Sequence, residues 1–188
     1  MPRLNVIVAS TRPGRVGKHV ADWFVEIARE HGRFDVRVAD LAQINLPFLD
    51  EPHHPSENRY VHEHTRQWSA MTAEADAFVF VMPEYNYGFT APLKNAIDYL
   101  YHEWQYKPVA FVSYGMTSAG LRAVQMIKQV VTTLKMMPVT EAVSIPLRQA
   151  LDADGRLVPT TPMSETATAM LDELYRLTAA FATIRTPA

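Results

Sequence analysis

The segment that most constrains the fold of this chain is a run of six apolar residues, Ala77-Phe78-Val79-Phe80-Val81-Met82. The run has the length of a strand but lacks the polar and apolar alternation of a strand with one solvated face. Such a strand is buried on both faces, which is typical of a parallel sheet covered by helices. A similar run, Leu4 to Ala9, precedes a segment with helical periodicity from Gly17 onward. The chain is therefore predicted to be an α/β protein.

Further apolar segments continue this alternation of strands and helices. A helix is expected after the central strand, with Thr90 or Ala91 as its N-cap. Proline-rich stretches at 47–55 and 146–162 indicate long surface loops. The other expected elements are strands at 34–39, 109–113 and 139–145, and helices at about 118–136, 164–184 and from about Glu57.

Length and composition indicate one folded unit. The chain has 188 residues, of which 48% are hydrophobic. This is enough for one well-packed core and too little for two comfortable ones. No linker, repeat or low-complexity tract divides the sequence. We therefore expect a single domain over residues 1–188.

Charge and cysteine content exclude several classes of function. The net charge is −2 and no long basic block is present, so nucleic acid is not an expected partner. The absence of cysteine excludes disulfides, thiolate metal sites and a cysteine nucleophile. No apolar run reaches the roughly 18 residues that a bilayer crossing needs, and Ser10-Thr11-Arg12 ends the first run too early for a signal peptide. A soluble, cytoplasmic protein without a membrane partner is expected.

The loop after the first strand has the composition of a phosphate site. It consists of Ser10-Thr11-Arg12-Pro13-Gly14-Arg15-Val16-Gly17 and leads into the N-terminus of a helix. Unpaired N–H groups and the helix dipole favour an anion at such a place. The hydroxyl and guanidinium groups of this loop could add contacts, and its glycines allow a close approach. A solvated turn with a helix cap is the alternative that we consider weaker.

Residue spacing excludes two common nucleotide-binding loops. A P-loop has glycine five residues before the glycine of its Gly-Lys-Ser/Thr end, whereas Arg12 stands five residues before Gly17 and His19 follows Lys18. The dinucleotide fingerprint requires Gly-x-Gly-x-x-Gly, and only Gly14-x-x-Gly17 is present. Neither ATP or GTP hydrolysis nor a tightly held dinucleotide is therefore expected.

A second unusual loop, Pro83-Glu84-Tyr85-Asn86-Tyr87-Gly88, follows the central strand. Tyrosine rings can stack on a planar heteroaromatic ligand while amide groups contact its polar edge. Taken alone, the loop is more simply an ordinary turn with surface tyrosines. Ligands of parallel sheets bind outside the carboxyl ends of the strands, so the two loops together indicate one cleft.

These same loops carry a resemblance to a known family. The segment Ser10 to Gly17, and Pro83-Glu84-Tyr85-Asn86 followed by Leu93-Lys94-Asn95-Ala96-Ile97-Asp98, resemble the NADPH-dependent FMN reductase family. This family of flavodoxin-like proteins includes quinone, azo-dye and chromate reductases. The resemblance implies a doubly wound sheet of five parallel strands in the order 2-1-3-4-5. Ala9 departs from the family pattern, which has glycine there, and the proline that commonly follows the asparagine is displaced to Pro92.

The resemblance also implies which residues contact FMN. The phosphate would be held by Ser10, Arg12 and the backbone of Val16 and Gly17. The isoalloxazine ring would contact the second loop and a third loop after the next strand, mostly through backbone groups: Pro83, Glu84, Tyr85, Asn86, Tyr87, Ser113, Tyr114 and Gly115. Tyr85, Tyr87, Phe89 and Tyr114 are candidates for the wall over the flavin. Glu84 is expected to shape its loop.

The implied function is an FMN-dependent NAD(P)H oxidoreductase that passes hydride from nicotinamide to flavin N5 and then electrons to a quinone or similar flat acceptor. No side chain is expected to be catalytic, because the protein supplies position and the cofactor supplies the chemistry. Three alternatives stay open: an electron carrier or redox sensor without efficient turnover, a reductase of free flavin, and a flavin-free interaction protein. The acceptor, the choice between NADPH and NADH, and whether FMN is cofactor or substrate are not determined.

Relatives in this family are commonly dimers or tetramers with the site at a subunit interface, so a homodimer or homotetramer is implied. The aromatic cluster Tyr99, Tyr101, Trp104 and Tyr106 would suit such a contact, and core packing explains it equally well. The choice between dimer and tetramer stays open.

Two other groups of residues could suggest different chemistry. His53, His54, His62 and His64 are close in sequence, but no carboxylate or cysteine spacing completes a known ligand set, so no metal is expected. Ser10 lacks the Gly-x-Ser-x-Gly elbow of a hydrolase nucleophile, so hydrolysis is not expected either.

Overall fold

Five parallel strands form one sheet in the structure, a computed structural model that describes residues 1–185. The strands are β1 (Arg3–Val8), β2 (Asp35–Asp40), β3 (Ala77–Pro83), β4 (Pro108–Gly115) and β5 (Met137–Pro146). Their order is β2-β1-β3-β4-β5, and all neighbours are parallel. The flavodoxin-like sheet expected from the sequence is confirmed.

Helices cover both faces of this sheet. The helices are α1 (Gly17–His31), α2 (Leu41–Ile44), α3 (Glu63–Ala73), α4 (Ala91–Asp98), α5 (Leu121–Thr133), α6 (Leu147–Ala150) and α7 (Thr161–Arg185). Buried side chains of α1 and α7 pack against one face, and those of α3, α4 and α5 pack against the other. The sheet is therefore the middle layer of three.

The central strand β3 is buried along its whole length, as its composition predicts. Val79 and Val81 belong to the apolar core beneath α1 and α7, whereas Phe78, Phe80 and Met82 belong to the core beneath α4 and α5. Successive side chains of a strand point to opposite faces, so one uninterrupted apolar run supplies both cores. This explains why β3 lacks any polar alternation.

The helix expected from about Glu57 is wrong in its starting point. Residues Pro55–Glu57 form only a short 3-10 turn, which ends at Asn58 in the left-handed region with φ 52°. The Glu51 carboxylate then accepts hydrogen bonds from the N–H groups of Val61 and His62, at 2.9 and 3.0 Å. These bonds hold the chain outside a helix until α3 begins at Glu63.

Other boundaries differ for similar local reasons. Helix α5 begins at Leu121 instead of 118, because Gly120 before it has a left-handed φ of 88°. The stretch 146–162 is not all loop: it contains α6 and an antiparallel bridge between Leu151 and Leu157. The helix α2 was not expected; the Asp40 carboxylate caps it by accepting from Ala42 N–H at 3.1 Å.

The aromatic cluster 99–106 divides between core and surface. Tyr99 and Trp104 are fully buried, and Trp104 packs against Phe78 with ring centroids 5.0 Å apart. Tyr106 is 36% exposed. Core packing therefore accounts for Tyr99 and Trp104.

The histidines near residue 60 have ordinary partners. The rings of His62 and His64 stack with centroids 5.2 Å apart, and His64 Nε2 lies 3.0 Å from a carboxylate oxygen of Asp50. Within residues 1–185, no group of three or more potential metal ligands is found. Over the same residues, no helix combines the length and apolar character required to cross a bilayer.

Candidate functional site

Three loops meet at the carboxyl edge of the sheet, because they follow the neighbouring strands β1, β3 and β4. Hydrogen bonds connect them directly. The hydroxyl of Thr90, the N-cap residue of α4 just after the second loop, donates to the Ala9 carbonyl at the end of β1, at 2.8 Å. The Glu84 N–H donates to the Tyr114 carbonyl at 2.9 Å, which joins the second loop to the third. The two loops singled out in the sequence therefore lie together at one edge of the sheet.

The first loop ends in an anion-binding arrangement at the N-terminus of α1. Val16 is the N-cap residue, and no side chain caps the helix, so its first N–H groups are left for a ligand. The Ser10 hydroxyl is fully buried between Gly17 and the Tyr114 hydroxyl, and neither hydroxyl has a hydrogen-bond partner of ordinary geometry within residues 1–185. A buried hydroxyl without a partner is unfavourable unless a ligand completes it. Together these groups fit a phosphate.

Gly17 is required at this place by contact distance. A Cβ built on Gly17 would lie 2.2 Å from Ser10 Oγ and 2.2 Å from the Tyr114 hydroxyl oxygen. Such distances are far below van der Waals contact. The absent side chain therefore lets α1 pack closely onto β1 and β4 and brings its N-terminus to the Ser10 hydroxyl.

The two arginines of the first loop have different roles. The two terminal nitrogens of the Arg15 guanidinium each lie 2.6 Å from an oxygen of the buried Asp40 carboxylate. Arg15 also donates to the Ser10 carbonyl. The hydrogen bond with Asp40 raises the pKa of Arg15 above its ordinary value. The exposed Arg12 side chain makes no hydrogen bond or ion pair within the described chain. Arg12 is thus available to a ligand, whereas Arg15 supports the loop.

Tyr114 does not lie where the sequence placed it. It was expected among the aromatic residues over the ring, but only 4% of its surface is exposed, and its hydroxyl lies under Gly17. Burial raises the pKa of this hydroxyl well above its ordinary value. The physical reason is strand alternation: Tyr114 points to the face covered by α1, opposite to Ser113.

The second loop is a tight hairpin turn. Tyr85 and Gly88 exchange two backbone hydrogen bonds of 2.9 Å. Asn86 and Tyr87 between them have positive φ values of 48° and 73°, as in a type I′ turn. The turn exposes 44% of Tyr85 and 67% of Tyr87, beside the exposed Asn86. Two flat rings and an amide therefore face outward at the site, which suits a planar heteroaromatic ligand.

Glu84 ties the second loop to the third. Its carboxylate, only 10% exposed, accepts from the Ser118 hydroxyl, from Arg122 N–H at 3.1 Å and from the Arg122 guanidinium at 3.4 Å. These donors lie at the N-terminus of α5, where a carboxylate is favourable. Burial acts to raise the pKa of Glu84, but the hydrogen bonds from Ser118 and Arg122 outweigh it and lower the pKa below 4.5. Glu84 is therefore ionised and fully engaged.

Arg122 was missed by sequence reasoning. Its guanidinium lies 3.9 Å from the centroid of the Tyr87 ring, a cation–π contact. Because Glu84 holds the same guanidinium, an ion pair supports the exposed ring from beneath. Arg122 lies outside every motif, so only its position in the first turn of α5 could have suggested it.

The remaining predicted residues are placed as follows. Pro83, Ser113 and Gly115 are buried at the carboxyl ends of β3 and β4. The Ser113 hydroxyl donates to the Ala119 carbonyl at 3.0 Å within the third loop. Phe89 is half-buried against the core beneath α4.

Replacing Glu84 with glutamine should weaken the link between the second and third loops. A hydrogen bond to a charged group contributes roughly 1.5–3 kcal/mol, against 0.5–1.5 for a neutral one, so we expect a loss of about 1 kcal/mol at pH 7. The folded pKa of Glu84 is lowered, so its contribution is present above pH 4.5 and is lost as pH falls through the folded pKa. Urea unfolding between pH 3 and pH 7 measures this difference.

The matched control is Glu165→Gln, because Glu165 is exposed on α7. Its unfolding free energy should parallel that of the unmodified protein at every pH. A Glu84→Gln variant whose deficit stayed constant down to pH 3 would contradict the role of the ionised carboxylate.

Comparisons with known proteins agree with this geometry. The family model that matches residues 2–150 is described as NADPH-dependent FMN reductase. An NAD(P)H-dependent FMN reductase of Schizosaccharomyces pombe is 42% identical over 149 residues, covering 77% of this chain and 74% of that protein. An NADPH:quinone oxidoreductase of Arabidopsis thaliana is 35% identical over 92 residues, covering 45% of this chain and 47% of that protein.

A solved structure supports the fold. FerB, a flavoenzyme NAD(P)H:(acceptor) oxidoreductase from Paracoccus denitrificans, matches with a TM-score of 0.76 at 19% identity. The match covers 96% of this chain and 98% of that chain. At this identity the likeness shows a shared fold.

Proposed function

Since this chain belongs to the NADPH-dependent FMN reductase family, we propose that it transfers reducing equivalents from NAD(P)H through FMN to a quinone or a similar flat acceptor. The chain is an oxidoreductase, and its cofactors are FMN and NAD(P)H. The acceptor and the residues of the site are the parts that the proposal adds. We place the reaction in the cytoplasm, as the sequence led us to expect.

The observation on which the proposal depends is the group of potential phosphate ligands at the N-terminus of α1. Ser10 Oγ is buried without a partner, the N-terminus of α1 is uncapped, and the Arg12 side chain is unengaged. In the proposal these groups, with the N–H groups of Val16 and Gly17, hold the FMN phosphate. A dianionic group fits them, because every one of them is a hydrogen-bond donor or a cation.

The ring of FMN is assigned to the second and third loops. We propose that Tyr85, Asn86 and Tyr87 contact it together with the backbone of Pro83, Glu84, Ser113, Tyr114 and Gly115. The exposed rings and amide of the turn support this assignment. Bound FMN supplies the redox chemistry, because it accepts hydride from NAD(P)H and passes electrons to an acceptor.

The protein residues supply position instead of proton transfer. Glu84, the acidic residue of the second loop, is ionised and its carboxylate is held by Ser118 and Arg122, so we assign it a positioning role. Arg122 and Tyr87 form a supported flat surface at the rim of the site. A flat acceptor is favoured there because it can stack on an aromatic ring. The Arabidopsis relative, named as a quinone oxidoreductase, supports this class of acceptor.

We also propose that residues 1–188 work as one FMN-binding domain and assemble into a homodimer or homotetramer. One sheet spans Arg3 to Pro146, and α7 packs onto β4 and β5, which supports the single domain. Met116, Leu121 and Met126 are about half exposed next to the site, which supports a contact between copies.

The proposed reaction is tested by mixing FMN-loaded protein with NADPH, and separately with NADH, in the absence of oxygen. We expect the visible absorbance of oxidised FMN to disappear after mixing, because the nicotinamide reduces the flavin. The absorbance should return when a neutral quinone is added and reoxidises it. An electron carrier would stay yellow with either nicotinamide. A reductase of free flavin would lose its absorbance on dialysis before the experiment began, and either result would contradict the proposal.

A further inference from the structure

A cavity of about 460 Å³ borders the first loop. It opens between α2, which follows β2, and the start of α4, and Thr11 of the first loop forms part of its wall. This volume is within the range of small-molecule sites. Four other recesses of the described residues share no residue with the three site loops. The cavity is thus next to the site without belonging to the assigned FMN contacts.

The wall of this cavity is fixed by the helix that carries the second family motif. The Asn95 amide nitrogen donates to the Pro47 carbonyl at 2.6 Å, and its oxygen accepts from Leu49 N–H at 3.0 Å. The Tyr99 hydroxyl donates to Asp50 at 2.9 Å just beyond. The residue between these anchors, Phe48, is held at the rim with 85% of its surface exposed. An aromatic ring is therefore presented on a backbone that is tied down on both sides.

The lining is uncharged and mixed in polarity. Leu41, Leu46 and Pro92 provide apolar surface, and the side chains of Thr11 and Asn45 provide a hydroxyl and an amide. None of the residues that form the cavity is acidic or basic. Such a lining suits a planar, neutral heterocycle with hydrogen-bonding edges better than it suits a phosphate or a carboxylate.

We propose that this cavity binds the adenine ring of NAD(P)H. The proposal rests on the proposed function, in which NAD(P)H is the electron donor. Among the reactants of that function, NAD(P)H is the one with a nucleoside far from its reacting ring. A quinone needs only the flavin side of the site, at the ends of β3 and β4. The cavity is lined instead by Thr11 of the first loop, by α2 with the segment after it, and by the start of α4, none of which is assigned to the flavin.

The test uses ADP-ribose, which carries the adenosine half of NADH but no nicotinamide and cannot be oxidised or reduced by flavin. The FMN-loaded protein is titrated with ADP-ribose by calorimetry. Bound FMN then occupies the phosphate site at the N-terminus of α1, so ADP-ribose cannot bind there. We expect saturable binding, and competition with NAD(P)H but not with the quinone in steady-state kinetics. The calorimetric readout does not depend on turnover.

Two variants change the cavity in opposite ways. Phe48→Ala removes the rim ring, and Ala42→Phe fills the space from α2. Each should weaken ADP-ribose binding about tenfold and raise KM for NAD(P)H similarly, while kcat and the quinone KM stay unchanged. The control is Leu49→Ala: its side chain is outside the cavity, and its N–H bond to Asn95 is retained. FMN content of each variant reports whether it has folded.

Equal ADP-ribose affinity in all four proteins, or no binding at all, would overturn the inference. So would a loss of binding in Phe48→Ala that follows dissociation of an oligomer in sedimentation, because a second copy would then be forming the site. Failure of the proposed function looks different: NAD(P)H would fail to bleach the flavin in the unmodified protein.

Discussion

Replacing Gly17 with alanine should remove most FMN binding and destabilise the fold. The new Cβ would lie 2.2 Å from both Ser10 Oγ and the Tyr114 hydroxyl, and both neighbours are buried. Either these two buried side chains or helix α1 must move, and overpacking of this kind costs about 1–3 kcal/mol. Either movement displaces groups assigned to the phosphate. We expect FMN affinity, measured by fluorescence titration, to fall at least a hundredfold.

A double variant that lacks the two contacting oxygen atoms tests whether these contacts cause the effect of Gly17→Ala. In Ser10→Ala/Tyr114→Phe, both oxygen atoms that the Cβ would strike are absent. Adding Gly17→Ala to this background should cost clearly less unfolding free energy than adding it to the unmodified protein, as urea unfolding of the flavin-free forms would show. Equal costs in the two backgrounds would mean that another contact is responsible.

Gly14→Ala is the matched glycine control. Gly14 lies in the same loop, but nothing is within 4 Å of a Cβ at this position. Its φ of +69° makes alanine locally strained, at a cost of roughly 1–2 kcal/mol. We expect Gly14→Ala to lose some stability but to keep FMN affinity within a few-fold of the unmodified value.

The contrast between these glycines shows where sequence reasoning stops. Both were interpreted in the same way, as places where the backbone approaches an anion. Gly17 is required because Ser10 and Tyr114 meet beneath it, and Tyr114 is on β4, far away in sequence. Only strand order and helix placement bring them together. The fold class itself was predictable, because the apolar run of β3 satisfies both cores at once.

In the second loop, too, some features were predictable from the sequence and others required the tertiary structure. The exposure of Tyr85 and Tyr87 followed from the turn residues, but the support beneath Tyr87 did not. That support comes from Arg122, which Glu84 holds at the N-terminus of α5. The role of Asn95 was also hidden: its motif matched the family, yet its bonds to Pro47 and Leu49 require the tertiary structure.

Arg12 and Arg15 look equivalent in the sequence, but their replacement should affect the unfolding free energy differently. Arg15→Met should lower the unfolding free energy by about 3 kcal/mol, because it leaves the Asp40 carboxylate, only 5% exposed, without its partner. Arg12→Ala should leave stability unchanged, because its side chain is exposed and unengaged. Urea unfolding of the flavin-free proteins measures both, and omitting FMN keeps ligand binding out of the comparison.

The Arg15 effect has its own check in Asp40. The double variant Arg15→Met/Asp40→Asn removes the stranded charge, while the asparagine oxygen can still accept from Ala42 N–H at the start of α2. Much of the lost stability should therefore return in the double variant. If Arg15→Met alone were as stable as the unmodified protein, the ion pair would have no structural role.

For FMN affinity the order of the two arginines reverses. A charge-assisted hydrogen bond to phosphate contributes roughly 1.5–3 kcal/mol, and the exposure of Arg12 favours the lower end, so Arg12→Ala should weaken FMN binding roughly tenfold. Riboflavin lacks the phosphate, so its affinity should be the same in Arg12→Ala and in the unmodified protein. Equal losses for FMN and riboflavin would place Arg12 at the ring instead. Unchanged affinity for both would remove Arg12 from the site and leave the phosphate to Ser10 and the helix N-terminus.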